Sequence, residues 1–541
     1  MQNLTVQKLC IGLVVLAFFI VSPWMTSELL GGNSMPFLVF AGTGLLLLFV
    51  FVLKDHCWMI IPFTLPIEGR LNFLPLNFSL QETAVIAVLA YVLIEIVMGR
   101  QIHWRLEPKW VWLPLSVLLA ILMYHWIVSG DIGIRALGGT GWGGRKYFSI
   151  LIGMISIPLL SSFPGIAWKD FQRVPLVFFA GVFVDLIPDT FTTILPSTAP
   201  YIYRVYSAVN IAEFGKELVG NFGDTEGVTR YTTFRNLGQA LVLVMISYFP
   251  FYTWLNINRL WILPVLMASF FATAFSGFRS AMFNYAALFA AGLYATARAK
   301  ALLLLPLAVG LALMIAGTQG NVFNYPRSIQ RALSFLPGQW DVAVTKEGKG
   351  SNEWRGRIRE LFFNEYFHKD PWIGTGFGFD PNLSKKTTEL FLRIAGSAEQ
   401  DDWADVRGFI EMKQPHEGDI HALIVSGVVG TAFFIAFCLA CMIYAVRSVL
   451  RFPPKEMAPI QIWAFAILFQ QSLAFFTVFG DYSITLPAMF PVIALLAASD
   501  KARPVWTHPS AGPENRPAEP AFPDPLKHAR AGGFSSESFH G

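Results

Sequence analysis

Apolar residues gather along this chain into stretches of roughly 15 to 22 residues, about the length at which a helix crosses a hydrocarbon core of ~30 Å. They predict about fourteen membrane spans, near residues 7–24, 34–53, 57–76, 80–98, 110–128, 147–163, 174–187, 236–254, 260–276, 281–297, 301–316, 421–445, 459–478 and 483–499. The third is interrupted by Pro62, Pro66, Glu68, Arg70 and Pro75, and reads as re-entrant or interfacial as readily as spanning. The expected fold class is all-α, a polytopic transmembrane helical bundle of about 12–14 spans.

Lys and Arg beside span ends orient such a bundle, because these residues are retained on the cytoplasmic side. With the N-terminus inside, the inner connections carry Lys54; Arg100, Arg105 and Lys109; Lys169 and Arg173; Arg259; Arg298 and Lys300; Arg447, Arg451 and Lys455; and Lys501 and Arg503. The connection at 129–146 breaks the pattern with Arg135, Arg145 and Lys146. The resulting organisation is N-terminal spans over 1–187, a first periplasmic loop over 188–235, central spans over 236–317, a large periplasmic loop over 318–420, C-terminal spans over 421–499 and a disordered cytoplasmic tail over 500–541. Connections as long as the two outer ones point to function. Both termini are expected in the cytoplasm.

Composition agrees with a bilayer as solvent: 541 residues, 54% apolar and 14% charged, leave too little polar surface to coat several soluble domains. A net charge of +4 without long basic runs gives no nucleic-acid footprint. Cys10, Cys57, Cys438 and Cys441 all sit in or beside apolar segments, so no disulfide framework is expected, and the C-x-x-C at 438–441 reads as two packed small residues.

Candidate chemistry concentrates on the outer face. Arg279, in Ser276-Gly277-Phe278-Arg279-Ser280, sits between two spans, where a guanidinium is costly unless paired or hydrated, or snorkels to headgroups. Arg230 and Arg235 close the first loop at the mouth of a helix, a place suited to phosphate. In the second loop Trp354, Ile358, Leu361 and Phe362 follow helical spacing, and such a helix can lie on the membrane surface and present Arg355, Arg357 and Arg359 to lipid phosphates. Trp340, Trp354, Trp372 and Trp403 can stack on sugars or anchor at the interface. Pro371-Trp372-Ile373-Gly374-Thr375-Gly376 reads as a tight turn. His416-Glu417-Gly418-Asp419-Ile420-His421 places its histidines five residues apart, off one helical face, so no metal site is expected, and His416 at the membrane mouth can serve as a general base or as a hydrogen-bond donor to phosphate.

The run from His416 to Gly430, with its histidine eleven residues before Gly427, resembles the H-N-x-x-L…G-x-x-G signature of the bacterial O-antigen ligase and polymerase superfamily. Pro371–Gly376 looks like its P-L-x-G-x-G element, Arg279 matches the arginine of its S-R-G turn, and Arg230–Gln239 resembles its R-x-x-G-x-F-G-N-P-N segment. The similarity covers roughly residues 200–445. Glu417 stands where the family has Asn. The resemblance implies a GT-C-type helical fold in the bacterial inner membrane and a metal-independent glycosyltransferase with no cofactor. It implies transfer of a glycan from an undecaprenyl-diphosphate carrier to a glycan or lipid acceptor, in polysaccharide (O-antigen or exopolysaccharide) biosynthesis beside flippase and chain-length regulator proteins. His416 and Arg279 would be catalytic, and Arg230, Arg279 and one of Arg355, Arg357 or Arg359 would hold the diphosphate. The rival expectations are a small-anion transporter, marked by internal repeats and broken helices, and a non-catalytic part of an export complex.

Overall fold

A computed structural model describes residues 50, 52–70, 78–128, 144–198, 200–202, 206, 232–254, 256–377, 402–411, 413, 415 and 417–503. Its α-helices are α1 (Ile60–Thr64), α2 (Leu80–Val97), α3 (Lys109–Val128), α4 (Gly144–Ser162), α5 (Trp168–Ile194), α6 (Thr232–Tyr248), α7 (Ile262–Phe275), α8 (Arg279–Ala297), α9 (Leu305–Thr318), α10 (Arg327–Leu333), α11 (Val342–Leu361), α12 (Asp402–Glu411), α13 (Gly418–Leu450), α14 (Pro459–Thr477) and α15 (Tyr482–Ala502). Among the described residues there is no strand, only isolated bridges of Arg70 with Ser79 and Gln319 with Phe323. The described residues up to Ala502 form one compact unit.

Among the described residues, seven helical segments are long and apolar enough to cross a membrane, as expected of a multi-pass membrane protein: Leu80–Val97, Lys109–Val128, Trp168–Thr192, Ile257–Phe275, Gly418–Leu450, Pro459–Thr477 and Tyr482–Ala502. Fewer segments qualify than the fourteen expected. Helices α4, α6, α8 and α9 occupy four other expected spans but are shorter or less apolar, and the first two expected spans fall almost wholly outside the described residues. Burial sorts the seven. The α15 segment is 78% buried and the α14 segment 67%, whereas the α3 segment is only 28% buried and turns Leu113 and Ile127 outward. Apolar side chains on an outer wall are what a lipid-facing helix requires. The inner helices meet closely: a Cβ on Gly153 of α4 would lie 2.9 Å from Pro487 of α15, so only glycine permits that approach.

Polar contacts divide the bundle into two ends. At one, Arg100 pairs with Asp55 at 2.8 Å, His56 lies 3.6 Å from Asp170, Lys501 pairs with Glu107 at 2.7 Å, and Arg298 donates to the carbonyls of Val449 and Phe452. These are the short basic connections, so the loops grouped by charge do meet. At the other, long-loop end, Arg235 pairs with Glu68 at 2.6 Å and Asp185 accepts from Glu68 N–H and Asn236 Nδ2. Glu95, 3.1 Å from Arg100, and Asp185, both within the expected spans, are thereby each tied to one end.

The third expected span is not a single helix. A 3₁₀ turn over Lys54–Met59 leads into α1, which stops at Thr64 ahead of Pro66, whose ring cannot continue the ladder. The segment still runs on beside a long apolar helix. His56 lies beside Asp170, Phe63 carbonyl would meet a Cβ on Gly181, and Glu68 reaches Asp185, so it runs beside α5 for fifteen residues, about 22 Å. Two of the three bases at 129–146 find their reason here too, while Arg135 lies outside the described residues. Arg145 pairs with buried Glu82, which also closes the capping box of α2 with Ser79, and Lys146 pairs with Asp481 at 2.7 Å.

The described part of the expected loop at 318–420 is mostly helical. Within α11 the apolar stripe is covered by protein rather than laid on a membrane surface: Ile358, Leu361 and Phe362 pack against Val406 and Ile410 of α12 and Ile420 and Ile424 of α13.

Candidate functional site

One face of α11 organises the long-loop end. Gly348, Asn352, Arg355 and Arg359 fall within about 60° of one another around the helix and run along about 16 Å of it. Arg279, the first residue of α8, reaches the N-terminal part of this face and donates to Gly348 carbonyl at 3.4 Å. A Cβ on Gly348 would stand 3.1 Å from the Arg279 guanidinium, which accounts for a glycine in mid-helix. Arg357 lies about 160° from Arg359 and leaves the opposite side, so it does not share the face with Arg355 and Arg359.

The turn that presents Arg279 gathers two more arginines. Gly277 takes φ +75°, a left-handed conformation natural to glycine, and its carbonyl accepts from Arg331 of α10 at 2.8 Å. The Arg235 guanidinium lies over the Phe278 ring, 5.6 Å from its centre. Arg331 carried no signal in the sequence. Its role comes from a carbonyl supplied by a distant turn.

At the other end of the face a cleft of about 300 Å³ opens between α11, the start of α13 and the end of α14. Arg359 spans two carboxylates there, Glu417 at 2.8 Å and Asp419 at 3.2 Å. Arg355 makes no recorded ion pair among the described residues. Phe476 and Thr477 form the far wall. Burial raises the Glu417 carboxyl above the ordinary carboxylate value, with the Arg359 hydrogen bond opposing.

Beneath the cleft α13 is broken. Gly427 has φ +62° and ψ −169°, so the helix is two pieces, and the break frees carbonyls before it and amides after it. The Pro371–Gly376 turn fills the gap: Thr375 and Gly376 N–H donate to Ile424 and Val425 carbonyls, and Val428 and Val429 N–H donate to Pro371 and Trp372 carbonyls, at 2.8–3.0 Å. Freed backbone groups inside a membrane bundle need such partners. Two motifs fifty residues apart in sequence are therefore one structural joint.

A buried polar chain supports that joint. His421, 1% exposed, accepts from Tyr482 N–H at Nε2, which leaves Nδ1 to donate to Lys413 carbonyl at 3.2 Å. Asp481 lies 3.5 Å from His421 and also takes Lys146 and Ser483. Burial alone would raise the Asp481 carboxyl, yet the Lys146 ammonium and the Ser483 hydroxyl beside it hold it well below the usual range. Burial lowers the Lys413 ammonium to about 8. The short segment 413–417 is thus pinned at both ends, by His421 at Lys413 and by Arg359 at Glu417.

His416 itself and Arg230 lie outside the described residues, as does the side chain of Trp403. Trp340 donates to Leu336 carbonyl and Trp354 packs on Phe409, roles within the fold, while Trp372 is exposed. Cys438 and Cys441 are buried free thiols.

Lys146→Met is expected to cost about 3–5 kcal/mol, because it leaves a buried carboxylate without its ammonium partner. Thermal unfolding of the solubilised protein checks this, and the double variant with Asp481→Leu should recover part of the loss. An unchanged Tm in Lys146→Met would mean that the pair contributes little. Since Asp481 is held below its unfolded value, its share of stability is present above pH about 4 and is lost as the pH falls below that.

Searched against protein-family models and against curated proteins, the sequence matches none.

Proposed function

We propose that this protein is a membrane glycosyltransferase that takes a glycan from an undecaprenyl-diphosphate carrier and either polymerises it or ligates it to another acceptor. The long-loop end is then periplasmic, and the membrane the bacterial inner membrane. The observation that carries the reading is the shared face of α11: Arg279 meets it at one end, and a charged cleft that holds Arg359, Glu417 and Asp419 opens at the other.

The chemistry follows from charge. As the glycosidic C1–O bond breaks, its electron pair leaves on the diphosphate, and negative charge grows there. Fixed guanidinium groups stabilise that charge more in the transition state than in the ground state. Arg279, with Arg235 and Arg331 on the same turn, is the group best placed to do so, and the resemblance adds Arg230. Outward apolar walls suit a polyprenyl chain.

The break in α13 is the one feature that favours an anion transporter. Transporter sites use unwound backbone to hold their ions, and here the four freed groups are already bonded to the Pro371–Gly376 turn. The break therefore reads as a structural joint.

Purified protein in vesicles containing an undecaprenyl-diphosphate oligosaccharide tests the reading. Longer glycan, or a glycosylated acceptor, with release of undecaprenyl diphosphate is the expected result. Uptake of phosphate or sulfate into the vesicles without either product would instead support transport.

A further inference from the structure

We propose that the cleft between α11, α13 and α14 is the acceptor subsite, that it takes a neutral, hydroxyl-rich sugar, and that Glu417 receives the proton of the attacking hydroxyl. The inference rests on the transferase reading and divides that site in two.

Charge balance is the first reason. Arg355 and Arg359 are matched in the cleft by Glu417 and Asp419, and Arg359 contacts both carboxylates. A diphosphate entering there would meet two anions at close range, and their like charge opposes its binding. A sugar does not. Its hydroxyls donate to carboxylates and accept from guanidinium groups, and its apolar ring face suits an aromatic wall such as Phe476. A cavity of about 300 Å³ falls at the lower end of small-ligand sites.

The second reason is distance. The cleft's lining on α11 starts at Asn352, about 6 Å beyond the Gly348 contact of Arg279, and ends at Arg359, about 16 Å beyond it. A donor diphosphate at Arg279 and an acceptor in the cleft leave room between them for the sugar being transferred. One pocket holding both charges would not.

Glu417 has the right attachments for a base. Its side chain is 7% exposed, one carboxylate oxygen is fixed by Arg359 Nε, and the residue lines the cleft. A carboxylate raised by burial is a better base near neutrality than an ordinary one. In the step itself the acceptor oxygen bonds to donor C1 as its proton passes to Glu417. The C1–O bond to phosphorus breaks, its electron pair departs on the diphosphate, and Glu417 returns the proton to water.

The test separates binding from transfer. Undecaprenyl diphosphate and the free oligosaccharide, released by mild acid from the host's own lipid-linked pool, are each titrated against the full-length wild type, Glu417→Gln and Glu417→Asp. Transfer is assayed in parallel. Glu417→Gln is expected to hold undecaprenyl diphosphate within about twofold of wild type, which also shows that it is folded, and to lose transfer by about 100-fold or more. Glu417→Asp, which keeps a carboxylate, should recover about tenfold of that. Weakened undecaprenyl diphosphate binding with intact oligosaccharide binding in Glu417→Gln would make the cleft the donor site and overturn the proposal. Unimpaired transfer by Glu417→Gln would overturn it as well. A wild type whose oligosaccharide binding depends on Glu417 but which transfers nothing would sink the transferase reading and leave the subsite standing.

Discussion

Arg279→Ala is expected to lower glycan transfer by about 100- to 1,000-fold, the usual loss when one fixed donor to a developing anion is removed. The side chain starts at the N-terminus of α8, in a turn that also receives Arg331 and Arg235, and it reaches the organising face of α11 at Gly348. Its contact with Gly348 carbonyl is long, at 3.4 Å. Arg279→Lys separates charge from shape. Lysine keeps the charge but loses the planar fork, and an intermediate loss of about tenfold is expected if bidentate contact with phosphate matters. Loss of undecaprenyl diphosphate affinity in step with transfer would show uniform binding. A fall confined to kcat would show stabilisation of the departing charge. Transfer by a well-folded Arg279→Ala within about threefold of wild type would remove Arg279 from the site.

How much of this arrangement the sequence displays depends on what kind of fact is asked of it. Apolar runs predict helices well, because a bilayer leaves the backbone few other ways to satisfy its polar groups, and α2, α3, α5, α13, α14 and α15 appear where expected. The segment at 54–70 shows the limit. Its prolines foretold a broken span, but only the contacts of His56 with Asp170 and of Glu68 with Asp185 reveal that it still runs on beside a long apolar helix. Likewise Arg145 and Lys146 look like violations of a charge rule until Glu82 and Asp481 are found beside them. Partners sixty or more residues away leave no local trace.

The candidate site divides in the same manner. Arg279 stood out because an arginine between two apolar runs is conspicuous. The stripe through Trp354, Ile358 and Leu361 correctly signalled a helix with one buried face, yet periodicity cannot say whether lipid or protein covers it, and here α12 and α13 do. It also could not choose among Arg355, Arg357 and Arg359, because the choice needs the position of Gly348 and the cleft. Glu417 was visible only as a departure from a motif. Its pairing with Arg359 and its place in the cleft give that departure a chemical meaning.

Gly427→Ala is expected to destabilise the protein by at least about 2–3 kcal/mol, the cost of forcing a side chain into a backbone region that is essentially reserved for glycine. The steric problem adds to the conformational one. An alanine Cβ would lie 2.4 Å from the Trp372 carbonyl and 2.5 Å from Gly374 N, and those are backbone atoms of the inserted turn, unable to swing aside as a side-chain tip can. Moving them would pull on all four hydrogen bonds between the turn and α13, and with them on Lys413, whose ammonium reaches Thr375. The effect should therefore reach beyond stability. With the joint displaced, the 413–417 segment loses its floor, and transfer should fall even in protein that survives purification. Gly350→Ala provides the contrast, since a Cβ there meets nothing within 4 Å and the residue is helical, so it should be neutral or stabilise by about 0.5–1 kcal/mol. Thermal unfolding of the two variants in the same detergent measures the difference. Equal Tm values would mean that the turn and the broken helix are not one joint. A Tm lowered in Gly427→Ala with transfer per folded molecule intact would mean that the joint supports the bundle but not the site above it.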